Sequence, residues 1–220
     1  MFSTKEDKVE QVNFRCTDGV ALNGFLYKSN QNTKTVIVAV HGMGSNCFKN
    51  RDVVIANESI KNGIDYFGFN NRGSELARYL KKTNNGKTEK ILAGTGYEDA
   101  LDGYYDVLGA VLKAKELGYE KIFIQGHSLG STKTLYTFKK LKQENHEILK
   151  NIKGLILLSL IDINAMMKAY LGEKLPQYIE FAEQKEKEGH LKYLMPDDSF
   201  IHPISVRTYL RYLRDYDEIN

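Results

Sequence analysis

One serine in this sequence has neighbours that suit it for covalent chemistry. Ser128 lies two residues from Gly126 on one side and from Gly130 on the other, in the segment Gly-His-Ser-Leu-Gly. An apolar strand pattern precedes this segment and a helical pattern begins near Ser131, so the serine falls at a predicted strand-to-helix turn. Such a turn strains the serine backbone, and the glycines leave space for strand and helix to approach. The pattern predicts an outward-facing nucleophilic hydroxyl, with His127 as its neighbour.

Two backbone amides are predicted to stabilise the negative charge that this serine would create on a carbonyl oxygen. The N–H of Leu129 lies at the start of the predicted helix, where amides have no helical partner. The N–H of Met43 is the second, in a His-Gly-Met-Gly segment directly after the most apolar strand. The flexible glycines Gly42 and Gly44 let this loop turn toward the serine. We interpret His41 as holding the loop by hydrogen bonds, with direct catalysis as the less favoured alternative.

Alternating strand and helix patterns position these motifs. A turn at 17–19 between two alternating segments predicts a hairpin over residues 9–27. Further strands are predicted at 35–40, 64–69, 121–125 and 154–159, and helices at about 49–61, 97–117 and 131–142. This alternation implies a mostly parallel central sheet, of the α/β class, with helices on both faces. The polar, breaker-rich stretch 75–90 is interpreted as a surface loop.

Together, the two motifs and this order of elements resemble the α/β-hydrolase superfamily, over nearly the whole chain up to about Ser159. The resemblance implies a serine hydrolase that cleaves carboxylic esters through an acyl-serine intermediate. It implies a small-molecule ester or acyl substrate and no cofactor. The Asn-Asn-Arg-Gly segment at 70–73 is similar to that of one subgroup, in which we interpret Arg72 as a structural anchor, with binding of a substrate carboxylate as the alternative.

The last part of the chain departs from this resemblance. In the family, the catalytic acid and histidine follow the nucleophile on loops after the seventh and eighth strands. Here no strand pattern follows residue 159, and helices are predicted over 165–194 and 206–216. We therefore expect a hydrolase core at 1–164, a helical cap-like segment at 165–220, and a fold truncated after about the sixth strand.

The acid and the base of a catalytic triad have only weak candidates. Asp162 follows a strand at the correct sheet edge and is the candidate acid, although a helix N-cap role is at least as favoured. His146 belongs to the opposite edge, and His127 is held on the same tight turn as the serine. His202 is a remote candidate for a substitute base, and His190 ranks below it. General-base assistance contributes about 10²–10⁴ in rate, so weak or no esterase activity is expected.

An inactive hydrolase fold that acts as a binding or interaction module is therefore the alternative function. Strand 154–159 is expected to lack an outer neighbour, and such an edge favours self-association. Six apolar side chains of the cap region either line an acyl pocket or, more commonly for such a pattern, pack the cap onto the core: Tyr170, Leu171, Tyr178, Phe181, Tyr193 and Leu194.

Composition argues against several other classes. The 220 residues, 42% hydrophobic and 27% charged, suit one globular domain. The net charge of +3 is too small to indicate nucleic-acid binding. Cys16 and Cys47 form no CxxC pair, so neither a disulfide framework nor a metal cluster is indicated. No apolar run of signal-peptide or membrane-span length is present, and a cytoplasmic location is expected. Nucleotide binding is disfavoured because no Lys-Ser/Thr pair follows the glycines.

Overall fold

The computed structural model describes residues 8–215, in which strands and helices alternate along most of the chain. The strands are β1 (Lys8–Arg15), β2 (Ala21–Lys28), β3 (Thr35–Val40), β4 (Asp65–Asn70), β5 (Arg78–Asn84), β6 (Lys87–Ala93), β7 (Lys121–His127) and β8 (Ile152–Leu158). The helices are α1 (Asn50–Lys61), α2 (Gly103–Glu116), α3 (Leu129–Gln143), α4 (Ile163–Leu171), α5 (Leu175–Lys187) and α6 (Val206–Leu213). No helix in this range is long and apolar enough to cross a membrane.

Six of the strands form one sheet in the order β1-β2-β4-β3-β7-β8. The predicted hairpin of β1 and β2 is present and pairs with β4 in antiparallel fashion, whereas β4, β3, β7 and β8 are parallel. The predicted mostly parallel α/β sheet is therefore confirmed. Val40 at the end of β3 pairs with Gly126 near the end of β7. This register places the loop after β3 beside the turn that contains Ser128.

Helices cover both faces of the sheet because its central strands are apolar on both. Val36 and Val38 of β3 are fully buried in a cluster with side chains of α2 such as Val107. Ile37, on the other face of the same strand, packs with Ala56 of α1. A β-branched strand buried on both sides is typical of a parallel sheet.

The predicted surface loop over 75–90 is wrong, because this stretch forms the separate hairpin of β5 and β6. Its turn is Asn85-Gly86, and both residues have positive φ, 49° and 77°. That combination defines the two-residue turn favoured by Asn-Gly in hairpins. The many lysines gave the stretch the composition of a surface loop. The Asn-Gly pair was the sequence feature that could have predicted the hairpin.

The region after β8 is helical only in part. The helix predicted over 165–194 is interrupted by a 3-10 turn at Gly172–Lys174, and α5 ends at Lys187, before Gly189 with a φ of 81°. Residues 188–205 are irregular apart from an isolated bridge between Leu194 and Ser205. This region has its own apolar cluster, which also includes Leu129 at the start of α3. The cap-like segment therefore packs directly against the serine turn.

Charged side chains attach α6 to the segment before α2. Arg207 and Arg211 both bind the carboxylate of Asp99, at 3.1 and 2.9 Å, and hold its pKa below the ordinary value despite its burial. Next to it, the carboxylate of Glu98 pairs with the ammonium of Lys133 on α3 at 2.5 Å, with both side chains buried. Removing one member of such a buried pair leaves the other charge buried without a partner. These contacts attach α6 to the segment before α2, and that segment to α3.

Strand β8 forms one edge of the sheet. Most of its side chains are only partly buried, and within residues 8–215 no strand pairs with its outer side. Such an edge offers unpaired backbone groups to another chain. Self-association through this edge stays a prediction.

Candidate functional site

Ser128 occupies a backbone conformation that few residues other than glycine adopt. Its φ is 53° and its ψ −127°, between the end of β7 and the first residue of α3. Its N–H donates to the carbonyl of Leu158 at 2.9 Å, and its own carbonyl accepts from the N–H of Ser131 at 2.8 Å. Strained residues of this kind persist only where the surroundings fix them. The side chain is partly exposed, so the hydroxyl is available to a ligand.

The flanking glycines are required by close backbone packing. A Cβ on Gly126 would lie 2.5 Å from the carbonyl oxygen of Gly130. A Cβ on Gly130 would overlap the carbonyl oxygen of Val40 at the end of β3. Any side chain at either position would push α3 away from the sheet. The two glycines thus fix the distance between α3 and strands β3 and β7.

The loop after β3 lies against the serine. A Cβ on Gly42 would be 3.1 Å from the Cβ of Ser128, so only glycine allows this approach without displacement. Within residues 8–215 the N–H groups of Met43 and Leu129 have no hydrogen-bond acceptor. Amides without an acceptor are the kind of donor that an oxyanion at a nucleophilic serine would require.

His41 holds this loop through both nitrogens of its ring. Nδ1 donates to the carbonyl of Gly42 at 2.8 Å, and Nε2 accepts from the N–H of Asn71 at 3.2 Å. Burial lowers the pKa of the ring to about 3, so it is neutral at physiological pH. With both nitrogens engaged, the ring has neither a free lone pair nor a route to Ser128. The geometry favours the loop-holding interpretation of His41.

Ser128 opens into a cleft of about 360 Å³. Of the residues singled out in the sequence, Gly42, Met43, His127, Leu129 and His202 line this cleft with it. The structure therefore brings together the serine, the two residues whose amides were predicted to stabilise an oxyanion, and two histidines. The other lining residues are Gly44, Ser45, Lys49, Arg51, Ile161, Ile163, Met166 and Ile201.

Asp162 is placed elsewhere. Its carboxylate accepts the N–H of Ala165 at 2.8 Å and caps α4, the alternative role foreseen for it. It lines a second groove, of about 740 Å³, beside α3, together with residues such as Leu135 and Leu160. The structure does not bring this carboxylate to Ser128. The six apolar cap residues considered for an acyl pocket are also absent from the lining of the Ser128 cleft, as far as residues 8–215 show.

The five histidines of the sequence all fall within the described residues and have different surroundings. His146 accepts the N–H of Ile148 through Nδ1 and caps a short turn. His190 lies 3.4 Å from the carboxylate of Glu188, in the exposed segment directly after α5. Neither lines the Ser128 cleft. His127 does, and burial together with the charge of Arg51 lowers its pKa.

Arg72 anchors its loop, as the sequence indicated. Its guanidinium pairs with Asp106, Asp18 and Asp102 at 2.8, 3.1 and 3.0 Å, and its side chain is 5% exposed. Its backbone N–H also donates to Asp106. With three carboxylates bound, this arginine is not available to a substrate.

Sequence reasoning missed two cations of the cleft, Lys49 and Arg51. Both lie where the loop after β3 joins α1, and charged residues at such a position are usually interpreted as surface residues. No local pattern distinguishes them. Among the described residues, no group of His, Cys, Asp and Glu is arranged to hold a metal ion.

Solved structures that are similar to this chain include hydrolases and esterases. The α/β hydrolase GrgF of Penicillium sp. sh18 is 18% identical, with a TM-score of 0.63 over 93% of this chain and 72% of that one. Est1E of Butyrivibrio proteoclasticus, solved with ferulic acid bound, is 20% identical, with a TM-score of 0.61 over 94% and 73%. An esterase of Pyrococcus furiosus is 16% identical, with a TM-score of 0.56 over 94% and 68%.

These similarities establish the fold: the chain has the α/β-hydrolase fold, as its motifs indicated. No family model matches the sequence, and no curated protein matches it. Because a shared fold does not fix a reaction, the activity has to be argued from the site.

The strain at Ser128 is testable through stability. Ser128→Gly should be about 1 kcal/mol more stable than Ser128→Ala, because glycine adopts a φ of 53° freely while alanine keeps the strain. Urea unfolding of the two variants measures the difference. Equal stabilities would show that the turn is not strained.

The burial of His41 gives the free energy of unfolding a pH dependence. Its pKa falls from 6.5 to about 3 on folding, so below pH 6.5 the unfolded chain binds a proton that the folded chain excludes. The contribution is complete above pH 6.5 and decreases toward pH 3 by up to about 1.4 kcal/mol per pH unit. His41→Gln should lose this contribution, giving a flatter profile in urea unfolding between about pH 6.5 and 4.5. Parallel profiles for the two proteins would contradict the assignment.

Proposed function

We propose that this protein is a serine hydrolase that cleaves a carboxylic ester of a small molecule through an acyl-serine intermediate. The observation that carries the proposal is the shared cleft of Ser128 and the unpaired amides of Leu129 and Met43. The esterases among proteins of the same fold support an ester as the bond attacked.

In the proposed reaction the hydroxyl oxygen of Ser128 attacks the ester carbonyl carbon. As this bond forms, the hydroxyl proton passes to a base and the carbonyl oxygen becomes negative. The amides of Leu129 and Met43 donate to that oxygen, an interaction stronger in the transition state than in the ground state. Collapse of the intermediate expels the alcohol, which takes the proton back. Water then releases the acid by the same steps.

We assign the base to His202. Of the two histidines that line the cleft, His127 is adjacent to Ser128 on the same tight turn, and its ring lies against Gly42. His202 lies in the irregular segment before α6, far from Ser128 in sequence, and it also lines the cleft. Its ring is exposed, and within residues 8–215 no hydrogen bond engages it. Exposure leaves it free to orient toward the serine when substrate excludes water.

The alternative is a binding module without catalysis. The observation that favours it is the groove of about 740 Å³ beside α3 and the open edge of β8, which together offer apolar surface to a partner. A fold of this kind keeps its scaffold even where its chemistry is lost. Reactivity of Ser128 separates the two functions.

A fluorophosphonate probe tests the nucleophile. The wild-type protein should be labelled on Ser128, because the probe reacts with an activated serine and its phosphoryl oxygen then occupies the oxyanion site. Ser128→Ala should abolish labelling, and Ser159→Ala should not, since that exposed serine also has a positive φ of 49° but lies outside the cleft. Intact-mass spectrometry measures the adduct. Folded wild-type protein that remains unlabelled would favour the binding module.

The base is tested by the rate of the same reaction. His202→Gln should slow labelling by about 10² or more, the range of general-base assistance, and should flatten its pH dependence. His190→Gln, a change in an exposed histidine outside the cleft, serves as the matched control. Equal rates for His202→Gln and wild type would exclude His202 as the base while leaving Ser128 as nucleophile.

A further inference from the structure

The Ser128 cleft combines positive charge with apolar surface. Lys49 and Arg51 line it, and none of the residues found to line it within 8–215 is an aspartate or glutamate. The apolar residues of the same lining are Met43, Leu129, Ile161, Ile163, Met166 and Ile201. A ligand in this cleft therefore contacts cations and hydrocarbon together. Cleavage of an ester does not by itself require this excess of positive over negative side chains.

Arg51 is held in place by a partly buried hydrogen bond that continues into a buried network. Its Nη2 donates to Asp52 at 2.8 Å, the hydroxyl of Tyr66 donates to the same carboxylate at 3.3 Å, and Gln125 donates to that hydroxyl at 3.1 Å. Gln125 directly precedes Gly126 on β7. The guanidinium is thus fixed relative to the serine turn. One bond to Asp52 leaves other N–H donors of its planar fork for a ligand.

Lys49 adds a charge that no carboxylate neutralises. Its side chain is exposed, and in the described part of the chain it forms no ion pair. It ends the loop that carries Met43, directly before α1. Arg72, the other arginine considered for a substrate carboxylate, is surrounded by three aspartates. The positive charge that faces the Ser128 cleft therefore comes from Lys49, which has no ion pair in the described residues, and from Arg51, which pairs with Asp52 alone.

We propose that the substrate carries a carboxylate, which Arg51 and Lys49 bind while its ester carbonyl lies at Ser128. The planar guanidinium group matches the geometry of a carboxylate. Hydrogen bonds between charged groups are also stronger than those between neutral groups. The apolar side chains contact the methylene groups between the two ends. A volume of about 360 Å³ is near the lower end of the range for ligand pockets. The substrate class is therefore a short half-ester of a dicarboxylic acid. This inference rests on the proposed function.

Binding to a protein that cannot turn the ester over tests the inference. Calorimetric titration of Ser128→Ala with monomethyl glutarate should show binding at least about tenfold tighter than with methyl 4-carbamoylbutanoate, a neutral amide of the same shape. The difference should decrease as salt is added, since the charges are partly exposed.

Variants of the two cations identify the site. In the Ser128→Ala background, Lys49→Gln should remove most of the preference for the anion without affecting folding, because that side chain is exposed. Arg51→Gln should do the same, and Arg51→Lys should restore part of it. Lys61→Gln, at the far end of α1 where the lysine pairs with Glu58, should change nothing. Equal affinity for both compounds, or a preference that survives both glutamine variants, would overturn the inference.

The inference and the proposed function fail in different ways. If wild type is labelled on Ser128 but Ser128→Ala binds both compounds equally, the hydrolase stands and the carboxylate subsite is wrong. If Ser128 is inert but the preference for the anion depends on Lys49 and Arg51, the subsite stands in a protein that binds without hydrolysis.

Discussion

The structure depends on the close approach of backbone at the end of β7. Gly126 and Gly130 let α3 begin directly against β3 and β7, and a side chain at either position would collide with backbone atoms. The sharp turn between them forces Ser128 to a φ of 53°. This geometry leaves Ser128 partly exposed, and within residues 8–215 the amide of Leu129 has no hydrogen-bond acceptor. Sheet packing and the backbone conformation of Ser128 are thus consequences of the same contact.

The cap-like segment completes the site that this turn begins. Its apolar cluster includes Leu129, so it packs on the first residue of α3, and Asp99 holds α6 through two arginines. His202 precedes this anchored helix and reaches the cleft from there. In the family arrangement that the sequence resembles, a loop after the eighth strand supplies the histidine. The proposed base therefore depends on how firmly α6 is attached.

Charge is distributed unevenly between the buried networks and the cleft. Arg72 and Lys133 lie among carboxylates that neutralise them, and they serve packing. Near Ser128 the balance is reversed, because Lys49 has no partner within residues 8–215 and Arg51 has only Asp52. A charge in a partly dehydrated cleft gains more from an opposite charge than one in water. Such a cleft selects its ligand by charge as well as by shape.

Much of this protein was determined by local sequence pattern. The strand patterns and the spacing of Gly126, Ser128 and Gly130 predicted the sheet, its helices and the turn, because burial on both faces and backbone crowding leave few residue types acceptable. The hairpin of β5 and β6 was missed because its polar composition concealed the Asn-Gly turn. The sequence left Asp162 open between a catalytic acid and a helix N-cap, and only the tertiary structure decided that it lies outside the serine cleft while His202 and Arg51 line it. Water can satisfy the hydrogen bonds of an exposed polar side chain at any surface position, so local sequence does not fix its protein partners. Those partners are set by how distant segments of the chain pack together.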